Sequence, residues 1–142
     1  MIDPLTILYE QIKNPQVDYK GDLRWYNEKG ERHRLDGPAF ISKDGKREEW
    51  YVNGEKHRED GPAVEYLDAN YREWWIRGKL HREDGPAVMT DNGRDSYYLN
   101  HHLKAKSEWL KDARVQRALK IKELENKDIK DDDFLRKFGE VI

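Results

Sequence analysis

Cysteine is absent from the chain. That excludes disulfide staples, thiolate metal sites and cysteine nucleophiles, and it fits a reducing compartment. Apolar residues are also scarce, at 36% against 39% charged, a balance more common in chains that do not fold. No run approaches the roughly 20 apolar residues that a membrane helix needs. Residues 1–15 lack the basic and apolar regions of a signal peptide. Neither sign of charge dominates: the formal net charge is −2, with both signs interspersed. The chain therefore exerts no global attraction on nucleic acid or anionic lipid. These absences predict a soluble cytoplasmic protein with no membrane span, for which long nucleic acid is a disfavoured partner.

Aromatic residues supply what the aliphatic ones do not. Five Trp, eight Tyr and three Phe stand at regular places in 142 residues, and rings of that size bury much area per residue. The regularity comes from repetition. His33-Arg34-Leu35-Asp36-Gly37-Pro38-Ala39 recurs from His57 to Ala63 and from His81 to Ala87, at intervals of 24 residues, with six of seven residues identical. The register extends beyond the motif. Tyr26, Trp50, Trp74 and Tyr98 fall in one column; Gly30, Gly54 and Gly78 fall in another; Gly21, Gly45 and Gly93 form a third, broken by Ala69. Periodicity of this length marks stacked supersecondary units.

Each unit reads as a β-hairpin. Ala63 to Leu67 is a short strand, Asp68-Ala69-Asn70 carries turn chemistry, and Tyr71 to Ile76 returns as one aromatic and β-branched strand. Val52-Asn53-Gly54-Glu55 supplies a connection that tolerates positive φ. Pro38, Pro62 and Pro86 lack an amide donor and belong at strand starts. Residues Val17 to Tyr26 extrapolate to a degenerate first hairpin turning at Lys20-Gly21, so four hairpins are expected. Alternation puts Trp50, Val52, Trp74, Ile76 and Tyr98 on one face, met by Phe40, Val64 and Val88. Asn27, Tyr51, Trp75 and Leu99 then share the other face with Arg47, Glu49, Tyr71 and Glu73.

A lone hairpin is marginal, so the units must share a core, and the ends of the stack must be closed. Asp3-Pro4 opens an N-terminal helix. Ser107 is placed to cap a helix to about Asn126, with Trp109, Leu110, Ala113, Ile121 and Leu124 on one stripe and Val115, Ala118 and Leu119 on another. A tail helix follows near Phe134 to Phe138, capped by Asp131 to Asp133. The expected architecture is mainly β with α caps, in a single domain over 1–142. It comprises a helix at 1–14, four tandem 24-residue β-hairpin repeats at 15–102 forming an elongated antiparallel sheet, and a helical cap or association segment at 103–142.

The unit Trp-Tyr-x-Asn-Gly-x-x-His-Arg-x-Asp-Gly-Pro-Ala resembles the MORN-type repeat family. Its form is similar to variant repeats of antitoxin-like bacterial proteins and of small proteins from tailed bacteriophages and giant viruses. The resemblance covers about residues 16–102. It departs from the usual unit in placing His-Arg where Gly is customary and in adding Asp-Gly-Pro. It implies a single layer of hairpins used for protein contacts, membrane-proximal scaffolding or assembly.

The triplets His33, Arg34, Asp36; His57, Arg58, Asp60; and His81, Arg82, Asp84 hold the only catalytic-looking chemistry. A group repeated in every unit is nevertheless expected to serve the unit's own fold. In that reading the Asp carboxylates accept turn amides, and the Arg side chains clamp a neighbouring strand or carbonyl. Hairpins stacked about 10 Å apart separate the imidazoles too far for one zinc ion, so no metal is expected. No cofactor is expected either, since phosphate-loop, dinucleotide, zincin and nucleophile-elbow patterns are all missing. Trp25, Tyr51, Tyr71 and Trp75 are the candidate partner-binding residues, because aromatic side chains dominate contact energies. The expected function is non-enzymatic: a viral or bacterial accessory protein that binds a protein partner, for example a host protein, in the host cytoplasm if viral. Self-association through the C-terminal helices is a further expectation. The competing reading is a sponge-like binder of a small nucleotide or phosphate ligand, using the Arg rows beside the aromatic rings.

Overall fold

The computed structural model describes residues 3–5 and 14–138, with side chains described as far as residue 128. It is mainly β. Strands β1 (Gln16–Val17), β2 (Leu23–Arg24), β3 (Phe40–Ile41), β4 (Arg47–Glu49), β7 (Val64–Tyr66), β8 (Tyr71–Glu73) and β11 (Val88–Met89) form an antiparallel seven-stranded sheet in that order. Three separate two-stranded ladders pair β5 (Tyr51–Val52) with β6 (Glu55–Lys56), β9 (Trp75–Ile76) with β10 (Lys79–Leu80), and β12 (Tyr97–Leu99) with β13 (His102–Lys104). Two helices follow, α1 (Lys106–Lys111) and α2 (Ala113–Phe138).

The stretch Tyr71 to Ile76, expected to be one strand, breaks at Trp74: β8 stays in the large sheet and β9 enters a small hairpin. The same break falls at Trp50. At each break the chain is held by a buried alanine. Ala39, Ala63 and Ala87 have no exposed surface. Their carbonyls accept the amides of Trp25, Trp50 and Trp74, and their amides donate to the carbonyls of Glu49, Glu73 and Ser96. A larger side chain has no room there.

These hydrogen bonds shift the columns expected from sequence. His33, His57 and His81 donate their amides to the carbonyls of Trp25, Trp50 and Trp74, so Trp25, not Tyr26, matches the two later tryptophans. Arg34, Arg58 and Arg82 donate to Tyr51, Trp75 and Tyr98, so Tyr98 matches Tyr51 and Trp75. One residue is gained in the first turn, between Tyr26 and Arg32, and one is lost before Tyr98. The faces change with the break. Arg24, Phe40, Glu49, Val64, Glu73 and Val88 lie directly opposite one another across the sheet and therefore share a face. Phe40, Val64 and Val88 thus belong with Glu49 and Glu73, not with the Trp50 and Trp74 ladder.

The turns follow local chemistry. Asn53 and Gly54 have φ of 48° and 83°, the two positive values of a type I′ hairpin. Near Lys20-Gly21, Asp18 accepts the amides of Lys20 and Asp22 and pairs with Arg24.

Residues Pro4 and Leu5 are helical; the remainder of the expected N-terminal helix, apart from Asp3 and Asn14, lies outside the described residues. At the other end, Ala105 rather than Ser107 precedes α1, with no side-chain cap. The kink comes at Asp112, whose carboxylate accepts the Arg114 amide and starts α2. Helix α2 then runs unbroken through Asp131 to Asp133, the expected cap of a separate tail helix. Trp109 and Val115 are buried against Leu99, with Tyr97 and Leu119 around them. Inward residues thus come from both expected stripes, Trp109 from one and Val115 and Leu119 from the other, whereas Leu110, Ile121 and Leu124 are exposed.

Candidate functional site

The three His-Arg-x-Asp-Gly-Pro-Ala segments adopt one geometry. The guanidinium of Arg34 lies 4.1 Å from the Trp25 ring centre, that of Arg58 lies 4.0 Å from Trp50, and that of Arg82 lies 3.8 Å from Trp74. Each Nε donates to the Asp two residues on, at 3.1, 2.9 and 2.8 Å. Each Nη1 donates to the carbonyl of Pro38, Pro62 or Pro86 at 3.1 Å. A planar cation that satisfies both an aromatic face and a carbonyl suits Arg and no other side chain. The glycine of the motif makes space for it: a β-carbon at Gly37, Gly61 or Gly85 would meet the guanidinium carbon at 2.8, 2.9 or 2.7 Å.

The expected carbonyl clamp is present. The carboxylates of Asp36, Asp60 and Asp84 take the guanidinium instead of serving mainly as acceptors for turn amides. Arg58 holds the Asp60 carboxyl below its ordinary range. A phosphate at these arginines would meet a guanidinium whose charge is already balanced by the Asp carboxylate, which weighs against the nucleotide reading.

The histidines are occupied as well. His33 Nδ1 accepts the Asn53 amide, His57 Nδ1 the Arg77 amide and His81 Nδ1 the Asn100 amide, all at 2.9 Å. Those three residues have φ of 48°, 49° and 49°, a conformation costly to non-glycine residues. Each imidazole thus anchors the left-handed residue that opens the next hairpin turn. Nε2 then carries the proton and faces Glu59 from His57 and Glu83 from His81, at 3.5 and 3.6 Å.

Of the candidate contact residues, Trp25 does not lie on the surface: its side chain is 6% exposed, roofed by Arg34. Tyr51, Tyr71 and Trp75 are half-buried on the face of Glu49 and Glu73. Tyr71 Oη and Trp75 Nε1 both donate to Glu73, and Tyr51 Oη donates to Glu49 at 3.5 Å. Burial, and then Glu73, push the Tyr71 hydroxyl far above its ordinary pKa; burial and Glu49 do the same, less strongly, for Tyr51. A groove of about 400 Å³ opens here, walled by Tyr66, Tyr71, Glu73, Glu49 and Lys56 over Val64.

Of the cations that cover this face, sequence reasoning placed Arg47 there and missed Arg32 and Lys56. Arg32 lies over Tyr51, Arg47 over Phe40 and Tyr66, and Lys56 over Trp75. Guanidinium planes and a lysine stem stand where a second sheet would close a sandwich. The scarcity of aliphatic residues beside abundant Arg and aromatics was the available signal. Compared with family models, curated proteins and solved structures, the chain has no match in any of the three.

Proposed function

We propose that the chain is a non-enzymatic protein-binding or scaffold module. In this reading tandem 24-residue hairpin units, closed by helices, present a partner face formed by Tyr51, Tyr66, Tyr71 and Trp75 around Glu49 and Glu73. The observation that carries the reading is the internal use of every His-Arg-Asp group. Three identical sets of contacts spend the polar groups of the motif on the fold. The remaining distinctive chemistry is half-exposed rings with fixed hydroxyl and indole donors, which suit a protein contact at low entropic cost. The resemblance to MORN-variant repeats points the same way, toward an accessory protein of a virus or bacterium.

The test is a pull-down with the intact chain and with Tyr51→Ala and Trp75→Ala. Partner recovery is expected to fall in both variants while far-UV circular dichroism is unchanged. Undiminished recovery by folded variants would remove this face from consideration.

A further inference from the structure

We propose that the cleft between the second and third motif segments and helix α2 is a docking groove for a basic segment of a partner protein. It has a volume of about 700 Å³ and includes none of Tyr51, Tyr71 and Trp75, so it is separate from the sheet face. Its floor is apolar. Trp74 and Ile76 come from the hairpin side, and Ala118 and Ile121 come from successive turns of α2. Helix α2 packs closely at Val115 and then diverges, since residues 120–128 are all exposed. The divergence opens the wedge.

The charge of the rim selects the occupant. Five carboxylates, Glu59, Asp60, Glu83, Asp84 and Glu125, face three fixed cations. Each cation is already engaged: Arg58 by Asp60 at 2.9 Å, Arg82 by Asp84 at 2.8 Å, and Lys122 by Asp84 at 3.9 Å. The net surplus is two negative charges, and the carboxylates without an Arg or Lys ion pair among the described residues are Glu59, Glu83 and Glu125. Glu59 has a side chain 84% exposed, and Glu125 has no ion-pair partner among the described residues. An apolar side chain seated on Ile76 and Ile121 places flanking Lys or Arg residues against carboxylates on both rims. An acidic ligand meets repulsion on both. The apolar contact supplies affinity, and the charges supply selectivity and a fast encounter.

The probe is a fluorescein-labelled peptide, Ala-Lys-Lys-Leu-Lys-Lys-Ala, read by fluorescence anisotropy on the full chain, beside a control with Glu in place of Lys. Saturable binding of the basic peptide is expected, with the acidic peptide at least tenfold weaker. Glu59→Lys/Glu125→Lys is expected to weaken binding at least tenfold, and Ile121→Ser several-fold. Glu28→Lys, exposed in the first hairpin turn and outside the groove lining, is expected to leave binding unchanged. All four positions are surface sites, and circular dichroism verifies folding. Equal affinity across the variants, or equal binding of the acidic peptide, overturns the proposal. Loss of binding only in Tyr51→Ala or Trp75→Ala overturns the groove while leaving the sheet face in place. Sedimentation showing a dimer dissociated by Ile121→Ser overturns it in favour of a second copy as the occupant.

Discussion

The guanidinium carbon of Arg82 stands 2.7 Å from the position a β-carbon would take at Gly85. Gly85 does not have the left-handed φ that would by itself demand glycine. Its role is to leave the arginine room to lie on Trp74. Gly85→Ala is therefore expected to cost about 1–3 kcal/mol through overpacking. The same substitution in an Arg82→Ala background is expected to cost close to nothing. Urea denaturation of the four proteins of that cycle checks it, and additive losses would refute the packing account.

His57 holds the turn at Arg77, a bulky residue at positive φ. His57→Ala is expected to cost about 1 kcal/mol for the lost hydrogen bond. Arg77→Gly in the same chain is expected to restore much of that stability, because the left-handed conformation costs an L-residue about 1–2 kcal/mol. His57→Asn, which can keep an acceptor near the position of Nδ1, is expected to be milder than Ala. Midpoints of chemical denaturation rank the three.

Asp112 caps α2, and the Arg114 side chain and amide hold its carboxyl at about 2, against an ordinary 3.8. A depressed carboxyl contributes stability that is present above the unfolded value. That stability is lost as pH falls from near 4 through 2. Circular dichroism at 222 nm should show helix loss across that window, and the change should be smaller in Asp112→Ala, which starts with a frayed α2. An identical acid transition in the variant would count against the cap.

Trp109 ties the helices to the sheet: it is 2% exposed, and its Nε1 donates to the Arg82 carbonyl at 3.0 Å. Trp109→Ala is expected to cost about 3–5 kcal/mol. It is also expected to release α1 and the start of α2, read as new tryptic cuts between Lys106 and Lys120. Trp109→Phe keeps the contact with Tyr97 and loses only the hydrogen bond, so it should cost about 1 kcal/mol.

What was legible in the sequence was local. The turn at Asn53-Gly54 could be read because both residues tolerate positive φ, and the separate hairpins followed from such turns at a fixed interval. The tripled motif also argued correctly that Arg34, Arg58 and Arg82 clamp a carbonyl. The column assignments failed at both ends because an interval of 24 in sequence hides one residue gained in the first turn and one lost before Tyr98. The two faces were mixed because alternation assumes an unbroken strand, and the chain turns a corner at Trp50 and Trp74. Trp25 was placed on the surface because nothing local to it announces Arg34, the residue that covers it.

By itself, the sequence determined the period, the turn positions, the absence of cysteine chemistry and the residue types available for a thin core. These depend on backbone preference and composition, which act within a few residues. Only the tertiary structure decided that arginines roof the tryptophans, that histidines anchor the following turns, and that α2 diverges to leave an acid-rimmed groove. Each of those joins residues whose contact exists only after non-adjacent segments pack. Their energies depend on burial and orientation, not on identity alone.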